Sequence, residues 1–124
     1  MKRALSALLP LCLLVTDGCD WAKGPSPSVD EDLVVTRGHD KIVQFGCASC
    51  HTIPGVHGAD ANVGPSLEHI AGRNYIAGVM SNTKRNMLQW LQDPPAVDAK
   101  TAMPKLGLTA ADAEDISAYL YTLR

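Results

Sequence analysis

Cys47-Ala48-Ser49-Cys50-His51 is the stretch that decides how this 124-residue chain is interpreted. Its two cysteines are three positions apart, so on one helical turn both thiols can add to the two vinyl groups of a single haem. The adjacent histidine then lies beneath the iron as an axial ligand. The pentad therefore predicts one covalently attached haem c, held by Cys47, Cys50 and His51.

Two other interpretations of the cysteine pair fit the rest of the sequence less well. A redox-active dithiol is expected at the head of a helix that follows a strand, and the sequence shows no alternating strand and helix pattern. A structural zinc site needs a second Cys or His pair at ligand spacing, and the other cysteines, Cys12 and Cys19, lie near the N-terminus. Haem attachment is the favoured hypothesis.

A sixth ligand is expected on the other side of the iron, commonly a methionine thioether. Met103 precedes a proline in a segment without helical periodicity, which suits a side chain directed at a metal. Met80 and Met87 are better explained as core residues. His57 and His69 are conceivable ligands in place of a methionine, although a lone histidine in a polar segment is more often solvated. Met103 is the predicted ligand.

The composition limits both the size and the partners of the protein. The length allows one small domain, and 11 basic residues against 13 acidic ones exclude a polybasic surface for nucleic acid. Only six residues are aromatic, two Trp, three Tyr and one Phe. Because large rings fill much of a small core, their scarcity suggests that another group occupies it.

The first nineteen residues are predicted to be a signal peptide. Lys2 and Arg3 precede an apolar run over 4–15, shorter than the roughly 20 residues that span a membrane. The run leads to Cys19, which resembles the lipidated cysteine of bacterial lipoproteins. Secretory cleavage nearby and an uncleaved anchor are the alternatives. The expected location is the periplasmic side of the bacterial inner membrane, with Cys19 lipidated as the membrane anchor.

The segment after the leader has a different composition. Residues 20–32 contain two prolines, two serines and three consecutive acidic residues, which predicts a flexible tether. The globular domain is then 33–124, with equal numbers of basic and acidic residues.

Helical patterns dominate the domain. Apolar spacing predicts helices over 36–45 and 84–92, and a third helix that begins after a capping box at Thr109 and Asp112. A short helical turn is predicted over 66–71. No run of alternating β-branched residues predicts a strand. The fold class is all-α, with three to four helices and with loops long enough to need an organising group.

The order of the motifs resembles the class I cytochromes c across most of the domain. The residues that carry the resemblance are Cys47 to His51, Gly64-Pro65, Leu67, Ala71-Gly72-Arg73, Trp90-Leu91, Asp93-Pro94, Met103-Pro104 and Ala118-Tyr119-Leu120. Bacterial single-haem cytochromes, and the cytochrome c domains appended to some haem–copper oxidase subunits II, are especially similar. The resemblance implies a small all-α fold wrapped around one covalent haem.

The same resemblance implies roles for further residues. The carbonyl of Pro65 is expected to accept a hydrogen bond from the ring of His51 and so to raise its basicity. Arg73 is expected to pair with a haem propionate, and Tyr75 or Trp90 to donate to the same group. The alternatives are a solvated surface charge for Arg73 and simple core packing for Trp90.

The resemblance also implies a close crossing of the first and last helices. Gly38 is expected to meet Tyr119 there, because a residue without a side chain allows two helices to approach. Ile42 takes the place where the family commonly has an aromatic residue.

The expected function is electron transfer by a respiratory-chain protein rather than catalysis. His51 and Met103 would occupy both axial positions, so the iron would exchange single electrons with redox partner proteins such as a terminal oxidase or a quinol-oxidising complex. Basic residues could form a rim that favours an acidic partner, or be scattered solvated charges; they are Lys84, Arg85, Lys100 and Lys105. The alternative function is haem-based binding or sensing of a small ligand that displaces Met103.

Overall fold

The computed structural model describes residues 28–124. The predicted signal peptide, the lipidation site at Cys19 and most of the tether lie outside the described residues. Within them the chain forms four α-helices, two short 3-10 helices and one small hairpin. The expected all-α architecture of three to four helices with long loops is confirmed.

The first helix, α1, spans Val29–Gln44 and so begins well before the predicted position 36. The side chain of Ser28 accepts a hydrogen bond from the backbone N–H of Glu31 and caps the helix. Three acidic residues, assigned from composition to the tether, form the first turn. Negative charge is favourable at that end because the helix dipole is positive there. The acidic run is therefore a helix start.

The second helix, α2, spans Lys84–Gln92, which confirms the prediction. Thr83 caps it by accepting from the N–H of Asn86. Two prolines follow Asp93 and begin a further short helix, α3, at Pro94–Val97. Proline suits the first helical position because it lacks an N–H that would have no partner there, and Asp93 caps the new helix.

The last helix, α4, spans Ala110–Leu120 and begins with the predicted capping box. The N–H of Asp112 donates to the hydroxyl of Thr109 at 3.2 Å, and the N–H of Thr109 donates back to the carboxylate at 3.0 Å. Helix α4 packs most extensively on α1 and next on α2. The core lies between these three helices.

Helices α1 and α4 cross in backbone contact at Gly38. A Cβ atom at this position would lie 2.0 Å from the carbonyl oxygen of Asp115 and 2.9 Å from the Cβ of Tyr119. No side chain fits in that space. The predicted crossing of Gly38 with Tyr119 is confirmed, and it sets the closest approach of the two helices.

Polar and aromatic contacts flank the crossing. Arg37 donates from Nε and Nη2 to the two carboxylate oxygens of Asp115 at 3.1 and 3.0 Å, and Lys41 pairs with Asp112. The ring of His39 meets the ring of Tyr119 edge to face, with 5.5 Å between centroids. The aromatic partner of Tyr119 is therefore His39, which the sequence interpretation did not single out.

One region of the chain contains strands that were not predicted. Strands β1, Tyr75–Ile76, and β2, Met80–Ser81, pair in an antiparallel hairpin. Each has two residues, which is too short for an alternating pattern to appear in the sequence. The helical turn predicted over 66–71 is a 3-10 helix at Ile70–Gly72.

The hydrophobic core joins all three long helices to the loops. Its buried members include Ile42 of α1, Leu91 of α2, Ile116 of α4 and Ile53 of the loop after the pentad. Over residues 28–124 no helix is both long and apolar enough to cross a membrane.

Replacing Gly38 by alanine should destabilise the protein by about 3 kcal/mol, the upper end of what overpacking usually costs, because the new methyl group meets backbone rather than a movable side chain. The measurement is the free energy of unfolding by urea. Gly72→Ala is the matched control, since a Cβ there has no neighbour within 4 Å. Equal stability of the two variants would contradict the crossing.

The pair of Lys41 and Asp112 should make stability depend on pH. Hydrogen bonds from Lys41 and then Thr109 lower the pKa of Asp112 from 3.8 to about 2. A carboxylate with a depressed pKa stabilises the folded state above its unfolded pKa, and this stabilisation is lost as the pH falls towards 2. The urea concentration at half-unfolding should therefore fall less steeply with decreasing pH in Asp112→Asn than in the wild type. Asp60→Asn, at an exposed position, should show the same decrease at low pH as the wild type.

Candidate functional site

A cavity of about 880 Å³ lies between the ends of the helices and the long loops. Ile42, Met87, Trp90, Leu91, Ile116 and Leu120 form its apolar walls, from all three long helices. Cys47, Cys50, His51 and Met103 also line it. The three haem-binding residues predicted within the pentad and the ligand predicted at Met103 thus share one cavity.

The pentad directly follows the end of α1 and lies in the cavity wall. After Gln44 the chain turns through Gly46, whose φ of 71° is in the left-handed region that favours glycine. A 3-10 helix, Cys47–Ser49, follows at once, and the N–H groups of Cys50 and His51 both donate to the carbonyl of Cys47. This tight turn places both thiols and the imidazole in the wall of one cavity.

The imidazole of His51 is held in one orientation. Its Nδ1 lies 2.7 Å from the carbonyl oxygen of Pro65, so Nδ1 carries the proton and donates it. A neutral ring with its proton on Nδ1 binds a metal through Nε2. The hydrogen bond that the resemblance implied between these residues is present; iron binding by His51 stays a prediction.

Gly64 lies close against the same ring. A Cβ atom at position 64 would lie 2.5 Å from Cε1 and 2.8 Å from Nδ1 of His51. The N–H of Gly64 also donates to the carbonyl of Cys50 at 2.7 Å, which ties this loop to the pentad. The sequence motif Gly64-Pro65 was noted, but the contact of the glycine with the ring was not foreseen.

Two methionines line the cavity, and they lie in different settings. Met103 is half-buried in a loop, where its N–H donates to the hydroxyl of Thr101. Met87 is 3% exposed on the buried face of α2. The other predicted alternatives, Met80, His57 and His69, are not lining residues. The choice of Met103 as a ligand stays a prediction with Met87 as its competitor.

The three residues expected near the haem carboxylates all line the cavity. Arg73 donates from Nη2 to the carbonyls of Ser66 and Glu68, at 2.7 and 2.8 Å. Tyr75 is 61% exposed at the edge, whereas Trp90 is 8% exposed. The position of Trp90 is compatible with core packing and with donation to a bound group.

The basic rim expected from the sequence is reduced in the structure. Lys105 pairs with Asp93, and this hydrogen bond lowers the pKa of the Asp93 carboxyl. Lys84, Arg85 and Lys100 are exposed and take part in none of the four ion pairs within residues 28–124. Three cations, rather than four, are thus available to a partner.

The competing interpretations of the cysteines lose support. No three His, Cys, Asp or Glu groups between residues 28 and 124 are close enough to hold a metal ion, as a zinc site would require. The cysteine pair follows a helix rather than a strand. Burial raises the pKa of the Cys47 thiol, whereas a thiol active in disulfide exchange has a lowered one.

The residues present fit a haem group in size and in chemistry. The cavity volume is within the range of small-molecule and cofactor sites, and its walls are largely apolar. Its lining includes two free cysteines, a histidine and a methionine that could hold such a group. Imidazole with thioether is a ligand set known for haem iron in electron carriers.

Comparison with known proteins agrees with this geometry. The family model for cytochrome c matches residues 35–124. Cytochrome c oxidase subunit 2 of Alkalihalophilus pseudofirmus is 28% identical over 107 residues, which cover 84% of this chain and 30% of that protein. The chain thus spans less than a third of the length of this relative. No solved structure gives a significant match. The chain belongs to the cytochrome c family, which implies electron transfer and covalently bound haem c.

Proposed function

We propose that this protein is a membrane-tethered, monohaem electron carrier on the periplasmic side of a bacterial inner membrane. The observation that carries the proposal is the shared cavity of Cys47, Cys50, His51 and Met103. The single pentad in the sequence supports a single haem.

Each of these side chains has a distinct role in the proposal. Cys47 and Cys50 form the thioether bonds, and His51 and Met103 are the axial ligands. The bound haem supplies a one-electron couple between ferric and ferrous iron. With His51 and Met103 both binding the iron, no position would remain for a substrate, and the protein would pass electrons without making or breaking bonds.

The surrounding residues tune and orient the site. The carbonyl of Pro65 fixes the His51 ring and increases its basicity as a ligand. Arg73 offers a positive charge at the cavity wall for a haem carboxylate, and Tyr75 or Trp90 adds a neutral donor. Burial among apolar walls, together with an axial methionine, favours a reduction potential above that of bis-histidine sites.

The proposed electron acceptor is a terminal oxidase, and the donor is a quinol-oxidising complex. The supporting observation is the similarity to a protein named as an oxidase subunit, which this chain matches over part of its length. The anchor proposed is a lipid on Cys19, which follows an apolar run of signal-peptide length.

The full chain, expressed in a bacterium that matures c-type cytochromes, tests the proposal. Haem should stay attached under denaturing conditions, and the ferric protein should show the long-wavelength band of methionine-bound iron. Adding CO to the ferrous protein at neutral pH should leave the spectrum unchanged. Ready binding of CO would instead support the small-ligand sensor, and a mature domain without added haem mass would support a thiol oxidoreductase.

Substitutions of the two axial ligands should have different effects. His51→Ala should abolish stable holoprotein, while Met103→Ala should leave the haem covalently attached but remove the long-wavelength band. Met87→Leu is the matched control, because it changes the other methionine of the cavity and preserves its volume. If Met87→Leu removes the band and Met103→Ala does not, Met87 is the sixth ligand.

Gly64→Ala should disturb the axial histidine without touching the thioether bonds. The added methyl group would lie 2.5 Å from the His51 ring, so the ring must tilt or the loop must move. We expect covalent haem with an altered absorption spectrum and about 1–3 kcal/mol lower stability. Gly72→Ala should match the wild type in both measurements. An unchanged spectrum in Gly64→Ala would contradict the close packing at this ring.

A further inference from the structure

The side chain of Asn82 makes three hydrogen bonds to distant parts of the chain. Its Nδ2 atom donates to the carbonyls of Ile70 and Arg73 at 2.7 and 2.9 Å. Its Oδ1 atom accepts from the hydroxyl of Tyr121 at 2.8 Å. Asn82 does not cap the helix that follows it, because Thr83 caps α2. Both amide hydrogens and one acceptor position are thus used elsewhere.

These bonds close one wall of the cavity. The segment 70–82 contributes Ile70, Arg73, Tyr75 and Ile76 to the lining, but its regular structure is one 3-10 helix and two strands of two residues. The backbone N–H of Asn82 also donates to the carbonyl of Asn74 at 2.9 Å. Asn82 therefore holds the end of the segment against its beginning.

Tyr121 connects this wall to the last helix. It is the C-cap residue of α4, and its hydroxyl reaches the side chain of Asn82 across 39 positions of sequence. A segment with few regular hydrogen bonds of its own is thereby fixed to a helix packed on α1. Movement of this wall requires loss of a part-buried hydrogen bond.

Arg73 is the charged group that the wall presents. Its Nη2 atom is bound by two carbonyls, and none of the four ion pairs within residues 28–124 involves it. The donors on Nε and Nη1 remain for an anion at the cavity wall. Because the carbonyl of Arg73 accepts from Asn82, the same amide that closes the segment fixes the backbone that carries this charge.

We propose that Asn82, with Tyr121, is a positioning residue that fixes the backbone of Arg73, and with it the place of the guanidinium at the cavity wall, and so contributes to the reduction potential of the haem. The inference rests on the proposed function, because it requires haem in the cavity. A fixed positive charge near the iron favours the ferrous state, which carries one positive charge fewer. Releasing Arg73 to solvent therefore lowers the potential.

The test measures the reduction potential of the holoprotein by spectroelectrochemistry. Asn82→Leu, which keeps the side-chain size, and Tyr121→Phe, which removes one hydroxyl, should both lower the potential, with the larger shift in Asn82→Leu. Thr122→Val is the matched control, because it removes a hydrogen bond at the same end of α4, from the hydroxyl of Thr122 to the carbonyl of Tyr119, that holds neither loop wall of the cavity. It should lower the thermal midpoint and leave the potential unchanged.

The Arg73→Leu background separates positioning from general structural support. Arg73→Leu alone should lower the potential, and adding Asn82→Leu should give little further shift, because the charge it positions is already absent. Additive shifts, or an unchanged potential in Asn82→Leu and Tyr121→Phe, would overturn the inference. If Asn82→Leu does not fold, Tyr121→Phe in both backgrounds gives the same comparison. A wild-type protein without covalent haem would instead refute the proposed function.

Discussion

The crossing of α1 and α4 at Gly38 is the contact on which the site depends. It allows the backbone of α1 to reach the carbonyl of Asp115, and it fixes how the end of α1 lies relative to the rest of the domain. The pentad follows that end directly, so the position of both thiols and of His51 is set by the crossing. The bidentate pair of Arg37 with Asp115 adds a directed contact between the helices at the crossing.

Two tyrosines at the C-terminal end of α4 form hydrogen bonds to loops that have little regular structure of their own. The hydroxyl of Tyr119 donates to the carbonyl of Pro54 and holds the loop after the pentad. The hydroxyl of Tyr121 donates to Asn82 and holds the opposite wall. Buried tyrosines combine apolar packing with one directed hydrogen bond, which suits them to this task. One helix therefore positions both loop walls of the cavity.

Features that depend on local chemistry could be predicted from the sequence, and features that depend on distant partners could not. The pentad, the bounds of α2 and the capping box of α4 are local, because neighbouring residues satisfy one another's hydrogen bonds. The start of α1 was missed because an acidic run suits both a tether and a helix N-terminus. The roles of Asn82 and of Gly64 need a tertiary partner, which no sequence spacing reveals.

The few aromatic residues of the chain agree with the way its core is arranged. Ile42, Trp90 and Ile116 are core residues, and all three also line the cavity. A small domain has a net stability of only about 5–15 kcal/mol, so it cannot leave apolar walls of this extent in contact with water. Covalent haem, which family membership implies, is then the largest apolar component of the core. The two cysteines of the pentad would bind the haem covalently. The same group would then cover the apolar walls of the cavity and carry the electron.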